Sequence, residues 1–129
     1  MRAFASLVIG AALLASPAFA AEGPFTEAQL KKGQSEYNTH CRTCHAKAGS
    51  GALGPALVGD TFKAHFGGQT AADVRGWIFE FMPQTAPKSL KDEQLDPLLA
   101  YILSLNGYTP GATELSAETA KSVTIEEAK

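Results

Sequence analysis

The sequence has few of the residues and patterns that mark several common classes of protein. Its 129 residues include two cysteines, two methionines and one tryptophan. No stretch alternates apolar and polar residues as a strand would. A chain of this length makes one domain, which is too small for a two-domain cofactor enzyme. Basic residues do not outnumber acidic ones (11 against 13), so nucleic acid is not an expected partner.

The one long apolar stretch lies at the start of the chain. Residues 1–20 carry a single charge, Arg2, and end in the small-x-small pattern of Ala18 and Ala20, which predicts a signal peptide cleaved after Ala20. Retention of this segment as an anchor is the alternative. No later apolar run approaches the roughly 20 residues that span a bilayer, so we expect no membrane span in the mature chain. The mature chain is about 39% apolar, a modest supply for a core.

Helical periodicity predicts a single all-α domain over residues 21–108. A first helix is expected over 27–40 with Thr26 as its N-cap, and Gly33 in its interior indicates close packing against another part of the chain. A short helix over 61–66 follows. The next helix begins after Thr70 and stops before Pro83. Its apolar stripe consists of Val74, Trp77, Ile78 and Phe81.

The strongest helical pattern comes last and ends at Asn106 and Gly107. Pro97 allows two interpretations of its start: a helix from Ser89 that kinks, or a helix capped by Asp96 with Pro97 in its first position. We favour the second. The residues beyond have few large apolar groups, so we expect a flexible, loosely attached tail over 109–129.

Cys41, Cys44 and His45 form the C-x-x-C-H motif, which is typical of covalent c-type haem attachment. Two thiols three positions apart at a helix end can reach two vinyl-derived carbons on one side of a porphyrin. The adjacent imidazole can then bind the iron. Covalent haem attachment of this kind belongs to exported proteins, which agrees with the predicted signal peptide. We therefore expect one covalently attached haem c per chain, with His45 as an iron ligand.

Three other uses of the cysteines remain open at this point. A thioredoxin-like redox pair needs a strand–helix setting, which the sequence does not offer. A disulfide between Cys41 and Cys44 would close a very small loop and add little stability. Zinc would need four ligands, drawn from the two cysteines and some of His40, His45 and His65.

Met82 is the only methionine outside the predicted signal peptide, so it is the expected sixth ligand of the iron. The alternative is that Met82 fills a gap in the core, as methionine often does. His65 and His40 are the rival ligands. Trp77 and Tyr101 are candidates for contact with haem propionates, although an aromatic residue on an apolar stripe more often packs in the core.

Taken together, residues 26–108 resemble the monohaem class I cytochrome c family. The matching positions are Gly33 and Tyr37, the motif at 41–45, Gly54, Pro55 and Leu57 in the loop after it, Met82 with Pro83, and residues 98–103. The resemblance implies a cytochrome c fold, in which the first and last helices cross at Gly33 and irregular loops enclose the haem. It also implies that the carbonyl of Pro55 accepts a hydrogen bond from the N–H of the His45 ring nitrogen that does not bind the iron. Residues 82–94 are similar to cytochrome domains that serve quinoprotein dehydrogenases.

These features predict a periplasmic electron carrier, not itself an enzyme, with a haem ligated by His45 and Met82. The resemblance implies a dehydrogenase as electron donor and another cytochrome or a terminal oxidase as acceptor. Two alternatives remain. One is a ligand-binding or peroxidatic haem protein with an open sixth position, and the other is a dedicated cytochrome subunit of a dehydrogenase. Residues 21–106 hold eight basic and nine acidic side chains, so long-range electrostatic steering of a partner is not expected.

Overall fold

A computed structural model describes residues 23–129, so the predicted signal peptide lies outside the described residues. Within this range the regular elements are helical, apart from one isolated antiparallel bridge between Thr70 and Thr124. The α-helices are α1 (Glu27–His40), α2 (Arg42–His45), α3 (Gly59–Phe66), α4 (Ala71–Phe81) and α5 (Asp92–Leu105), and two 3₁₀ turns cover Lys47–Gly49 and Thr119–Ser122. No helix among the described residues is long and apolar enough to cross a membrane.

Helices α1 and α5 cross at a glycine and form the most extensive contact between helices. α1 starts at the predicted capping box, in which the Thr26 hydroxyl accepts from the backbone N–H of Gln29 and the Gln29 side chain accepts from that of Thr26. A Cβ atom at Gly33 would overlap the carbonyl oxygen of Pro97. The prediction of an all-α domain whose first and last helices cross at Gly33 is confirmed.

Helix α5 begins earlier than expected. The favoured start, with Asp96 as N-cap, is wrong because the helix already begins at Asp92 and contains Pro97. Asp96 instead accepts a hydrogen bond from the Arg75 guanidinium at 2.6 Å, and Asp92 accepts another from Arg75 at 2.7 Å. Leu95 in the first turns is 1% exposed. Burial and these ion pairs therefore outweigh the hydrogen bond that proline removes from a helix interior.

Helix α4 is buried on a narrower stripe than its sequence indicated. Val74 and Ile78 are buried, but Trp77 and Phe81 are 41% and 49% exposed. Their rings lie against each other with centroids 4.5 Å apart. Trp77 borders a large cavity and the Phe81 ring packs against Trp77, so only Val74 and Ile78 of the four belong to the buried core. The helix ends at Phe81, as Pro83 predicted.

Residues 109–129, which we call the strap, pack against the helices instead of forming the expected loose tail. Leu115, Ala120 and Ile125 are each at most 1% exposed. The strap also exchanges backbone hydrogen bonds with the turn between α3 and α4, and its bridge at Thr124 belongs to this contact. A few well-spaced apolar side chains are thus enough to dock a segment whose composition is mostly polar.

Candidate functional site

The two cysteines lie where α1 passes into α2. Cys41 is the C-cap of α1 and the N-cap of α2, and its carbonyl accepts from the backbone N–H groups of Cys44 (3.2 Å) and His45 (2.9 Å). Both thiols are free in the structure; Cys41 is half-buried and Cys44 is exposed. Burial, with a smaller contribution from the neighbouring Cys44, raises the pKa of Cys41 to about 11. The helical turn therefore presents two thiols and an imidazole from five consecutive residues.

The His45 imidazole is buried and held by the loop after α2. Its Nδ1 lies 2.8 Å from the carbonyl oxygen of Pro55, so the contact that the resemblance implied is present. A carbonyl oxygen can only accept, so Nδ1 carries a proton, and in the neutral imidazole Nε2 is then the nitrogen with a free lone pair. A Cβ atom at Gly54 would lie 2.7 Å from Cε1 of His45, so the loop approaches the ring this closely because residue 54 is glycine.

Tyr37 supports the same loop in a way that the sequence analysis missed. Its buried hydroxyl donates to the carbonyl of Ala46 at 2.7 Å, directly after His45. Ala46 has φ 63° and ψ −179°, a conformation that is usual only for glycine. Burial raises the pKa of Tyr37 to about 12. The sequence marked Tyr37 as an aromatic packing position, but nothing in the pattern identified the partner of its hydroxyl.

A cavity of about 1010 Å³ opens beside these residues. Cys41, Cys44, His45 and Met82 all lie in its wall. Much of the apolar wall comes from α3, α4 and α5, with Phe62, Phe66, Val74, Trp77, Ile78, Leu98 and Ile102. The volume is at the upper end of the range for cofactor and ligand pockets, which are mostly apolar with a few well-placed polar groups. The donor set and the apolar walls fit a haem.

Met82 enters the cavity wall from the end of α4. It is the C-cap residue of that helix, and its backbone N–H donates to the carbonyl of Ile78 at 2.8 Å. The side chain is half-buried and packs against the hydrophobic core. Pro83 follows it in the same wall. The structure thus brings the predicted sixth ligand to the same cavity as the C-x-x-C-H motif, although the two are almost 40 residues apart in sequence.

The rival histidines also border the cavity, but each has other neighbours. Nε2 of His40 lies 3.3 Å from a carboxylate oxygen of Glu36 and 3.4 Å from the side-chain nitrogen of Gln94. The His65 ring packs edge-on against Phe66 and Trp77, with centroids 4.4 Å and 4.9 Å away. Tyr101 is buried against Tyr37, and it does not line the cavity.

Asn106 is a second residue whose role the sequence analysis missed. Its side chain donates to the carbonyl of Leu57 at 2.9 Å and accepts from the backbone N–H of Gly59 at 3.1 Å. The sequence indicated only that α5 ends here. The side chain also ties the end of α5 to the loop that follows Pro55.

The other uses of the cysteines find no support in residues 23–129. No three histidine, cysteine or acidic side chains in this range come together in a group that could hold a metal ion, as zinc would require. The two thiols are not joined in a disulfide. The motif lies between two helices, without the strand that a thioredoxin-like site needs.

The crossing of α1 and α5, with a C-x-x-C-H turn facing a large apolar cavity, defines the class of c-type cytochromes. The sequence model of the family described as "Cytochrome C oxidase, cbb3-type, subunit III" matches residues 28–102. The chain belongs to this family of monohaem class I c-type cytochromes. Membership implies haem c binding and a part in electron transfer.

A comparison of folds agrees with this assignment. The structure is similar to a chain of the sulfane dehydrogenase SoxCD from Paracoccus pantotrophus, with a TM-score of 0.62 and 19% sequence identity. The match covers 74% of this chain and 52% of that chain, so the present chain spans about half the length of its structural relative. The predicted cytochrome c fold is confirmed. Comparison with curated proteins gives no match.

Proposed function

We propose that this protein is an exported, periplasmic c-type cytochrome that carries single electrons between a dehydrogenase and a downstream acceptor. One haem would be attached through Cys41 and Cys44 and ligated by His45 and Met82. The observation that carries the proposal is the single cavity whose wall contains all four of these residues. A bound haem supplies the one-electron Fe(III)/Fe(II) couple.

The chain's own residues would hold the ligands in place in both oxidation states. The bond from Nδ1 of His45 to the Pro55 carbonyl fixes the ring and leaves Nε2 for the iron. The apolar wall excludes water, and a methionine ligand favours the reduced state, so both raise the reduction potential. Because neither ligand needs to move, little reorganisation accompanies electron transfer.

Ligation by Met82 can be tested by far-red absorption of the ferric protein. We expect a sulfur–iron charge-transfer band in the intact protein and its loss in Met82→Ala. The variants His40→Ala and His65→Ala are matched controls, since both rings border the same cavity, and they should keep the band. Absence of the band from the intact protein, or rapid binding of carbon monoxide after reduction, would favour the alternative with an open sixth position.

The partner and the location are further parts of the proposal. The similarity to a chain of a sulfane dehydrogenase supports a dehydrogenase as redox partner, either as a separate donor or as the rest of a complex. The haem domain is nearly neutral, so electron transfer from a donor should depend weakly on ionic strength. Mass spectrometry of the purified protein should find Ala21 as the first residue, since cleavage after Ala20 is expected.

A further inference from the structure

The strap forms a short backbone ladder with the turn that leads into α4. The N–H of Ala71 donates to the carbonyl of Val123 at 2.7 Å, and the N–H of Ile125 donates to the carbonyl of Gln69 at 2.8 Å. The Ile125 carbonyl accepts from Gly68 at 2.9 Å. These three hydrogen bonds fix the first residue of α4 and the turn before it to the strap.

Side chains reinforce this ladder on both sides. Ile125 is 1% exposed, and Ala120 in the 3₁₀ turn Thr119–Ser122, which packs against α4, is fully buried. The Tyr108 hydroxyl donates to the carbonyl of Thr124 at 2.7 Å. Lys63 on α3 forms an ion pair with Glu126 at 2.9 Å. The strap therefore contacts α3 and α4, the two helices that come directly before Met82.

The other end of the strap is anchored to the start of α1. The side-chain amide of Gln29 donates to the Leu115 carbonyl and accepts from the Leu115 N–H, both at 2.8 Å. The N–H of Gly111 donates to the carbonyl of Phe25 at 2.7 Å. The strap thus connects α1 to the turn between α3 and α4 by a route that does not pass through α5.

This connection bears on the two sides of the cavity differently. The cysteines and His45 come directly after α1, and α1 is held in place by its contact with α5. Helix α4 has two main supports, α5 and the 3₁₀ turn of the strap. Because a helix of 11 residues is a stiff rod about 16 Å long, restraint of its start also limits the motion of Met82 at its end.

We propose that the strap is a positioning element for Met82, holding α4 so that the methionine stays at the haem and external ligands are kept out. The inference rests on the proposed ligation by Met82. The strap lies beyond residues 28–102, which the family model matches, so the family assignment does not supply it.

The test measures how fast cyanide binds to the ferric holoprotein, since an external ligand can bind only when Met82 is displaced. In Ile125→Ala, the lost side chain should loosen the ladder, and the binding rate should rise by roughly tenfold. The far-red sulfur–iron band should weaken while the haem content is unchanged. Ile125→Val is a smaller change and should shift the cyanide rate and the sulfur–iron band in the same directions. It replaces the alanine variant if that variant does not fold.

Two control variants separate positioning from general loss of stability. Leu99→Ala removes a side chain of the same size from α5, where Leu99 is fully buried and does not line the cavity. It should lower the unfolding temperature but change the cyanide rate less than Ile125→Ala does. Lys121→Ala removes an exposed ion pair with Glu118 on the strap itself and should change neither the unfolding temperature nor the cyanide rate.

The outcomes distinguish the two proposals. If the intact protein has the sulfur–iron band but Ile125→Ala and Leu99→Ala change the cyanide rate equally, or not at all, the positioning role is overturned and ligation by Met82 stands. If the intact protein lacks the band, ligation by Met82 fails, and the role of the strap fails with it.

Discussion

At the residue scale, two glycines inside helices have opposite surroundings. A Cβ atom at Gly33 in α1 would overlap the Pro97 carbonyl and lie 2.9 Å from Cβ of Tyr101. A Cβ atom at Gly76 in α4 would meet nothing within 4 Å. Glycine is otherwise unfavourable in a helix interior because it costs conformational entropy. Only at Gly33 does close packing explain why this cost is accepted.

The two glycines make a matched pair of substitutions. Gly33→Ala should lower the free energy of unfolding by about 1–3 kcal/mol, because the helix crossing must open to admit a methyl group. Gly76→Ala should raise it by about 0.5–1 kcal/mol, because it adds helix propensity without a clash. Denaturant unfolding of the holoprotein measures both. Equal effects of the two substitutions would contradict the close crossing at Gly33.

Tyr37 gives the folded protein a dependence on alkaline pH. Its pKa is raised from 10.0 to about 12, so the folded state favours the protonated phenol. This contribution to stability is fully present below pH 10 and is lost as the pH rises towards 12. Tyr37→Phe loses the hydrogen bond to Ala46, at a cost of about 1 kcal/mol near neutral pH, but has no phenol to ionise.

The difference in unfolding free energy between the native protein and Tyr37→Phe should therefore shrink between pH 10 and 12. Denaturant titrations of both proteins at a series of pH values measure it. Parallel pH profiles would show that the phenol ionises as readily in the folded chain as in the unfolded one.

At the scale of elements, local signals predicted helix starts well and failed where tertiary contacts decide. The capping boxes at Thr26 and Thr70 depend on residues three positions apart, so the sequence contains the whole signal. The start of α5 depends on Arg75, which lies 17 residues before Asp92. No local pattern around Pro97 indicates that partner.

The capping box of α4 can be tested at its hydroxyl. The Thr70 side chain accepts from the backbone N–H of Asp73 at 3.2 Å, and its hydroxyl and backbone N–H hold the Asp73 carboxylate, which lowers the pKa of Asp73. Thr70→Ala should lower the free energy of unfolding by about 1 kcal/mol. Ser35→Ala, at an exposed position inside α1, is the control and should be close to neutral. Similar losses in the two variants would argue against a capping role.

At the scale of the whole molecule, the sequence predicted the candidate site better than its surroundings. Cys41, Cys44 and His45 lie within five residues of the sequence. Met82 is the only methionine outside the predicted signal peptide, so composition alone leaves one candidate for a methionine ligand. The strap was predicted to be loose because it is mostly polar. Its docking depends on three buried side chains and on backbone hydrogen bonds, neither of which has a periodic signature in sequence.

The low apolar content of the mature chain has a structural counterpart in the cavity of about 1010 Å³. Much of its apolar wall belongs to α3, α4 and α5, so a bound haem would complete the core that joins these helices. A Cys41→Ala, Cys44→Ala variant purified without haem should therefore lose much of its helical circular dichroism and unfold without a sharp transition. Thr43→Ala, within the same motif but without a thiol, should bind haem and unfold cooperatively. Native helix content and sharp unfolding in the haem-free double variant would mean that the polypeptide core is sufficient by itself.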